Sequence, residues 1–296
     1  MGGLVTVLYR GLARSTTGGA RNRSEVNINT MLTERFTNHT RKALKRGEKV
    51  VGTMSSLLAF PEAMQMCAMA GLDFVIIDSE HSPYDIFTVR QLISAARLSG
   101  ITPFVRVPDA QYHLIARSLD AGAMGVMVPR VETKETVEEV VASVKYPPMG
   151  RRGCGSIDIQ NDFFPVTVAE HVGRANDESL VIIQIESTRA VAHVDELLSV
   201  PGVDVALIGP ADLSISMGIP GEWRSEPFIK EVTKILDACK KAGVASGIHL
   251  PDFETVEFWA QRGMPFLMCS SDVAQLAAGI SQLGKRMVGL KGPAGK

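Results

Sequence analysis

The stretch FVIIDSEHSP, residues 74–83, runs four apolar residues into Asp78, Glu80 and His81. A carboxylate three positions from an imidazole, where the chain must turn at Ser82-Pro83, can orient the ring and raise its basicity. That pairing would suit His81 to moving protons, with Asp78 holding it. Arg106 ends another apolar run, TPFVRVP. A guanidinium buried there is costly unless it meets an anion. The anion is a substrate oxygen gaining negative charge, or Glu80 in a structural ion pair, and the two are compatible.

Gln184 and Glu186 close the run LVIIQIE, and Asp212 follows the next apolar run in GPADLS. Glu186 and Asp212, on adjacent strand ends, can converge on one hard cation with room for water and substrate. Oxygen donors of that kind suit Mg²⁺ or Mn²⁺. The competing reading pairs Glu186 with Arg189 and leaves Asp212 capping a turn. Gly209, Pro210 and Ala211 lead into Asp212, and successive backbone N–H groups after a glycine can cradle a carboxylate or phosphate. His39, His113, His171 and His193 stand in helical or loop contexts and are read as structural. His249, at the end of VASGIHL, stays open.

All these groups must be positioned by the elements around them. From residue 40 onward, short apolar runs alternate with helical patterns. Strands are expected at VVGTMSS, FVIID, TPFVRVP, GVMVP, LVIIQIE, VDVALIGP, VASGIHL and PFLMCSS. Near-continuous apolar strands imply a parallel sheet covered by helices. Eight β/α units in about 250 residues predict a TIM (β/α)8 barrel. An open doubly wound sheet would usually show a G-x-G-x-x-G turn after its first strand, and GTMSSLLAF has none. In a barrel, the strand C-terminal ends carry the active site. The polar groups above fall at five of the eight ends.

The 296 residues, 45% hydrophobic, suffice for one large core over residues 31–296. With 31 basic against 32 acidic side chains, no basic surface for nucleic acid is expected. No apolar run is long enough to span a bilayer, so a soluble, cytoplasmic protein is expected. Cys67, Cys154, Cys239 and Cys269 lack C-x-x-C spacing and read as free thiols of a reducing compartment. Residues 1–30, with four arginines and Glu25 as the only acid, read as a disordered extension. Organelle targeting is the second reading of that segment.

Together, DFVIIDSEH, TPFVRVP, GAMGVMVPRVETKE, YPPMGRRGCGS, VIIQIES and GVDVALIGPADLS resemble the HpcH/HpaI aldolase family over roughly residues 40–285. The resemblance implies a barrel that binds a divalent metal through Glu186 and Asp212 and holds pyruvate on it. It implies that the backbone from Gly209 to Asp212 holds the substrate carboxylate and that Arg106 steadies the keto or enolate oxygen. His81 paired with Asp78 would handle protons through a water, Gln184 would lie near metal and substrate, and Arg152 and Ser156 would shape the site from a loop. A homo-oligomer is implied as well, a hexamer with helices exchanged between neighbours. One departure stands out: Met54 occupies the position where many members carry a tryptophan that lines the site.

The expected reaction is cleavage of a 4-hydroxy-2-oxo acid to pyruvate and an aldehyde through a metal-bound pyruvate enolate. Oxaloacetate decarboxylation, or a citrate-lyase-like reaction on a CoA thioester, is the alternative. A third reading is a non-catalytic barrel that binds a 2-oxo acid.

Overall fold

The computed structural model describes residues 36–290; the extension read at residues 1–30 lies outside them. Eight strands follow in order: β1 (Val50–Ser55), β2 (Phe74–Asp78), β3 (Thr102–Arg106), β4 (Gly125–Val128), β5 (Leu180–Ile185), β6 (Val205–Ile208), β7 (Ala245–Leu250) and β8 (Phe266–Ser271). Each pairs in parallel with the next, and β8 closes on β1. The TIM-type barrel expected from the apolar runs is the observed fold.

Successive side chains of a strand point to opposite faces, so each strand feeds two compartments. Outward residues such as Val75, Ile77, Val105, Val181 and Ile183 pack against the helices. Inward residues such as Phe74, Ile76, Phe104, Leu180, Ile182, Leu207, Phe266 and Met268 fill the barrel. The rings of Phe74 and Phe266 stack with centroids 4.1 Å apart. They fit because neighbouring strands carry glycine there: a Cβ on Gly52 would stand 2.5 Å from the Phe74 ring, and one on Gly247 2.9 Å from Phe266.

The same alternation sets up the site. Continued toward the strand ends, the inward series reads Phe74, Ile76, Asp78 on β2 and Phe104, Arg106 on β3. On β5 it reads Leu180, Ile182, Gln184 and then Glu186, on β7 Gly247, His249, and on β8 Phe266, Met268, Ser270. The barrel is therefore apolar at its waist and polar at its C-terminal mouth.

The opposite end is closed by the short helix His39–Lys45. Its cap, the buried Asn38, accepts the Arg41 N–H and donates from Nδ2 to the carbonyls of Met124 and Glu178. Elsewhere the helices depart from the sequence pattern in detail. In AVAHVDELLSV, where the apolar spacing runs on without a break, the chain forms two helices, Thr188–Ala192 and Val194–Leu198, with His193 between them at φ −104°, ψ 13°. Val168–Glu178 is a helix the apolar pattern did not signal, started by a reciprocal capping pair of Thr167 and Glu170. The last helix, Asp272–Gly289, contains no buried residue. On it Val273, Leu276, Ile280, Leu283 and Met287 stand exposed at alternating three- and four-residue spacing. Among the described residues, no helix is long and apolar enough to cross a membrane.

Candidate active site

A cavity of about 400 Å³ opens at the C-terminal ends of the strands, lined among others by Met54, His81, Arg106, Gln184, Gly209 to Asp212, Trp223 and His249. Asp78 and Glu186 are buried beside these lining residues.

Asp78 and Arg106 are register partners across β2 and β3. Their side chains form a two-pronged ion pair: Arg106 Nε donates to Asp78 Oδ1 at 2.8 Å and Nη2 to Oδ2 at 2.7 Å. Burial alone would raise the Asp78 pKa, but the guanidinium and the N–H groups of Glu80 and His81 outweigh it and hold the carboxyl below its ordinary range. Burial likewise works against the Arg106 cation, and Asp78 reverses the effect. Glu80 adds a longer ion pair, 3.4 Å from Arg106 Nε.

This arrangement corrects the expected Asp78–His81 pair. Asp78 accepts the backbone N–H of His81 at 3.4 Å, so it shapes the turn that carries the histidine but does not touch the ring. The inward-pointing carboxylate meets a register-matched guanidinium before any imidazole can reach it. The His81 side chain is 64% exposed, with Nε2 3.7 Å from Glu80 Oε2.

Glu186 is buried. It accepts the Arg130 backbone N–H at Oε1, 2.6 Å away, and the Gln184 amide at Oε2. Burial pushes its pKa up to about 7; the carboxylates of Asp212 and Glu80 add to the rise, against the Arg130 N–H and the Arg106 charge. Arg189 does not neutralise it, because Arg189 meets Glu132 at 3.4 Å. Arg130 carries no signal in the sequence, since its contribution is a backbone N–H placed by a left-handed φ of 52°. Its guanidinium also pairs with Glu80 and donates to the Pro108 carbonyl.

Around Glu186 two features are incomplete, and a third position leaves no room for a side chain. Gln184 Oε1 is buried with no partner. Gly209 admits no side chain, since a Cβ there would stand 2.5 Å from Glu186 Oε2 and 2.6 Å from Gln184 Nε2. Asp212, exposed, sits in the first turn of the helix Pro210–Ser216, where the N–H groups of Ala211 and Asp212 have no intrahelical acceptor. No group of three or more His, Cys, Asp or Glu gathers among the described residues as a self-sufficient metal cage. Two carboxylates and an amide oxygen nevertheless fit a hard divalent cation that keeps positions for water and substrate, as Mg²⁺ or Mn²⁺ does.

Arg152 and Ser156 are not brought to this cavity. Their loop follows the helix Lys134–Val144 and precedes β5, so it emerges where helices return to strands, at the far end of the barrel. Arg152 is buried there, donating to Asp120 at 2.7 Å and to Gln160 at 2.9 Å, with its guanidinium 4.8 Å from the Tyr146 ring centroid. Ser156 is exposed at φ 51° and makes no capping bond. His171 belongs to the same cluster, between Asn161 Nδ2 at 3.0 Å and Tyr146 Oη at 3.3 Å. Burial, with Arg152 and Arg174 nearby, brings its pKa down to about 4.

Comparison with known proteins adds a lineage to this geometry. The profile of the HpcH/HpaI aldolase/citrate lyase family matches residues 54–278. A hydroxypyruvate/pyruvate aldolase of Roseovarius nubinhibens is 33% identical over 241 residues, 81% of this chain and 93% of its own. A 5-keto-4-deoxy-D-glucarate aldolase of Shigella sonnei is 32% identical over 248 residues, 84% of this chain and 96% of its own. Among solved structures, an HpcH/HpaI aldolase from Desulfitobacterium hafniense matches with a TM-score of 0.80 at 38% identity, over 83% of this chain and 95% of that one.

Proposed function

The chain belongs to the HpcH/HpaI aldolase/citrate lyase family, a family of enzymes, and from that premise we propose a divalent-metal-dependent aldolase cleaving a 4-hydroxy-2-oxo acid to pyruvate and an aldehyde. The observation that carries this reading is Glu186, a buried carboxylate raised further by Asp212 and Glu80 and standing beside an amide oxygen with no partner.

A cation held by Glu186 and Asp212, Mg²⁺ or Mn²⁺, would supply positive charge where the 2-oxo oxygen becomes anionic. The chain's own residues do the rest. The turn from Gly209 through Pro210 to Asp212 binds the substrate carboxylate through the N–H groups of Ala211 and Asp212. Gln184 lies beside it. Arg106, oriented by Asp78, steadies the 2-oxo oxygen. His81, acting through a water, takes the proton of the C4 hydroxyl. The C3–C4 bond then breaks, C4 leaves as the aldehyde carbonyl, and the bonding pair passes to C3 and the 2-oxo oxygen as the enolate. A proton delivered to C3 completes pyruvate. Among the described residues no lysine lines this cavity, so a Schiff-base route has no candidate among them.

The same reading makes the protein a cytoplasmic homo-oligomer, a hexamer by family resemblance. The uncovered apolar row on the last helix supports association with a second copy.

The test is proton exchange at the pyruvate methyl group, followed by NMR in D₂O on chelator-treated protein with and without Mg²⁺ or Mn²⁺. Exchange only with metal is expected. Absence of exchange under both conditions would overturn pyruvate as the nucleophilic half and turn attention to CoA thioesters.

A further inference from the structure

His249 reaches the cavity by the same inward alternation as Arg106 and Gln184, yet the proposed cleavage uses no group on β7. Its ring is not idle. His249 Nε2 lies 2.8 Å from the Ser270 carbonyl oxygen. A carbonyl can only accept, so Nε2 carries the proton. Burial disfavours the charged ring, and Arg106 adds to that. In the neutral ring with the proton on Nε2, Nδ1 keeps its lone pair, and Nδ1 makes no hydrogen bond among the described residues.

The carbonyl that sets this tautomer is placed by strained backbone. Ser270 has φ 60°, a left-handed conformation unusual for a residue with a side chain. Its oxygen also accepts from Thr53 Oγ1 at 3.3 Å. Strain of this kind persists only where the surroundings over-determine it, and it collects at functional sites. The cavity that His249 enters is lined by the apolar side chains of Met54, Pro251 and Ala274 as well as by Arg106 and Ser271. Trp223 lines the same cavity and has a buried indole N–H with no acceptor.

We infer that His249 is a specificity-determining residue that selects an acceptor aldehyde bearing a hydroxyl group, whose O–H donates to Nδ1. The inference rests on the aldolase reading and adds the chemical class of its second substrate. A hydroxyl in this wall has an acceptor waiting for it, whereas a methyl in its place leaves Nδ1 desolvated and unpaired.

The experiment compares kcat/KM for addition of pyruvate to glycolaldehyde and to propanal, which differ by hydroxyl against methyl, with the Mg²⁺-loaded full chain. Wild type should favour glycolaldehyde by about tenfold or more. His249→Leu should lower that ratio about tenfold, with the loss falling on glycolaldehyde. His249→Asn, which can return an amide oxygen near the Nδ1 position, should restore part of it. An unchanged ratio in His249→Leu, or equal losses on both acceptors in both variants, would overturn the inference and leave His249 structural. Methyl exchange by the wild type alone needs no aldehyde. Its absence would overturn the aldolase reading, and this inference with it, whereas exchange with an unaltered ratio overturns the inference only.

Discussion

At the end of the barrel where helices return to strands, Arg152, Asp120, Gln160, Asn161, His171, Arg174 and Tyr146 bond to one another. Of these side chains, Arg152 Nε is the buried atom left without a partner. At the mouth, Asp78 and Arg106 engage each other through two hydrogen bonds. Behind them, however, Glu186 is crowded by carboxylates, Gln184 Oε1 has no partner, and two first-turn amides stay open. Both ends bury charge at a desolvation cost that only good partners offset. Where the chain supplies the counter-charge and all but one of the hydrogen-bond partners, the cluster is architecture. Where they are missing, the protein has left room for something else. By that criterion YPPMGRRGCGS, a segment of the family resemblance, serves the architectural end through Arg152.

The contrast can be broken at four points. Asp212→Ala should lower metal-dependent kcat/KM by about 10³-fold or more, and added Mn²⁺ should no longer raise Tm. A variant with undiminished turnover would remove Asp212 from the open end. Asp120→Ala leaves the Arg152 guanidinium buried without its carboxylate and should cost about 3 kcal/mol, seen as a Tm lower by about 6 °C. Were that variant stable but inactive, the closed end would be functional and the contrast would fail. His81→Ala should reduce kcat about 10²-fold with little change in pyruvate affinity, while a normal kcat would withdraw its proton-handling role. The smallest effect is a slope with pH. His171 titrates at about 4 in the folded protein against an ordinary 6.5, so between those values the unfolded chain binds more protons. Stability is therefore full above this window and declines as pH falls through it, by about 1 kcal/mol near pH 5.5. Denaturant titrations of His171→Gln should show that slope flattened.

How much of this was legible in the sequence differs between backbone and site. Strands buried on both faces are apolar without interruption, so eight runs predicted eight strands, and alternation along each run assigns its inward face. Partners across strands depend on register. Sequence distance points Asp78 to the nearby His81, whereas its alignment with Arg106 appears only when β2 lies against β3. The Arg130 N–H was invisible, since no residue type announces a donated backbone proton on a left-handed arginine. Family resemblance puts Arg152 at the site, whereas a loop between a helix and the next strand belongs at the other end of the barrel. The break at His193 was hidden for a related reason: apolar spacing continues across it while the backbone turns.

The row of Val273, Leu276, Ile280, Leu283 and Met287 bears on how this protein should be handled at the bench. If a second copy covers this helix, whose apolar row is exposed among the described residues, dilution becomes a perturbation in itself. With a second copy on that row, the measured folding free energy includes an association term and the thermal midpoint climbs with total protein. Stabilities taken at spectroscopic and at calorimetric concentrations would then disagree by design, and their difference would measure the contact.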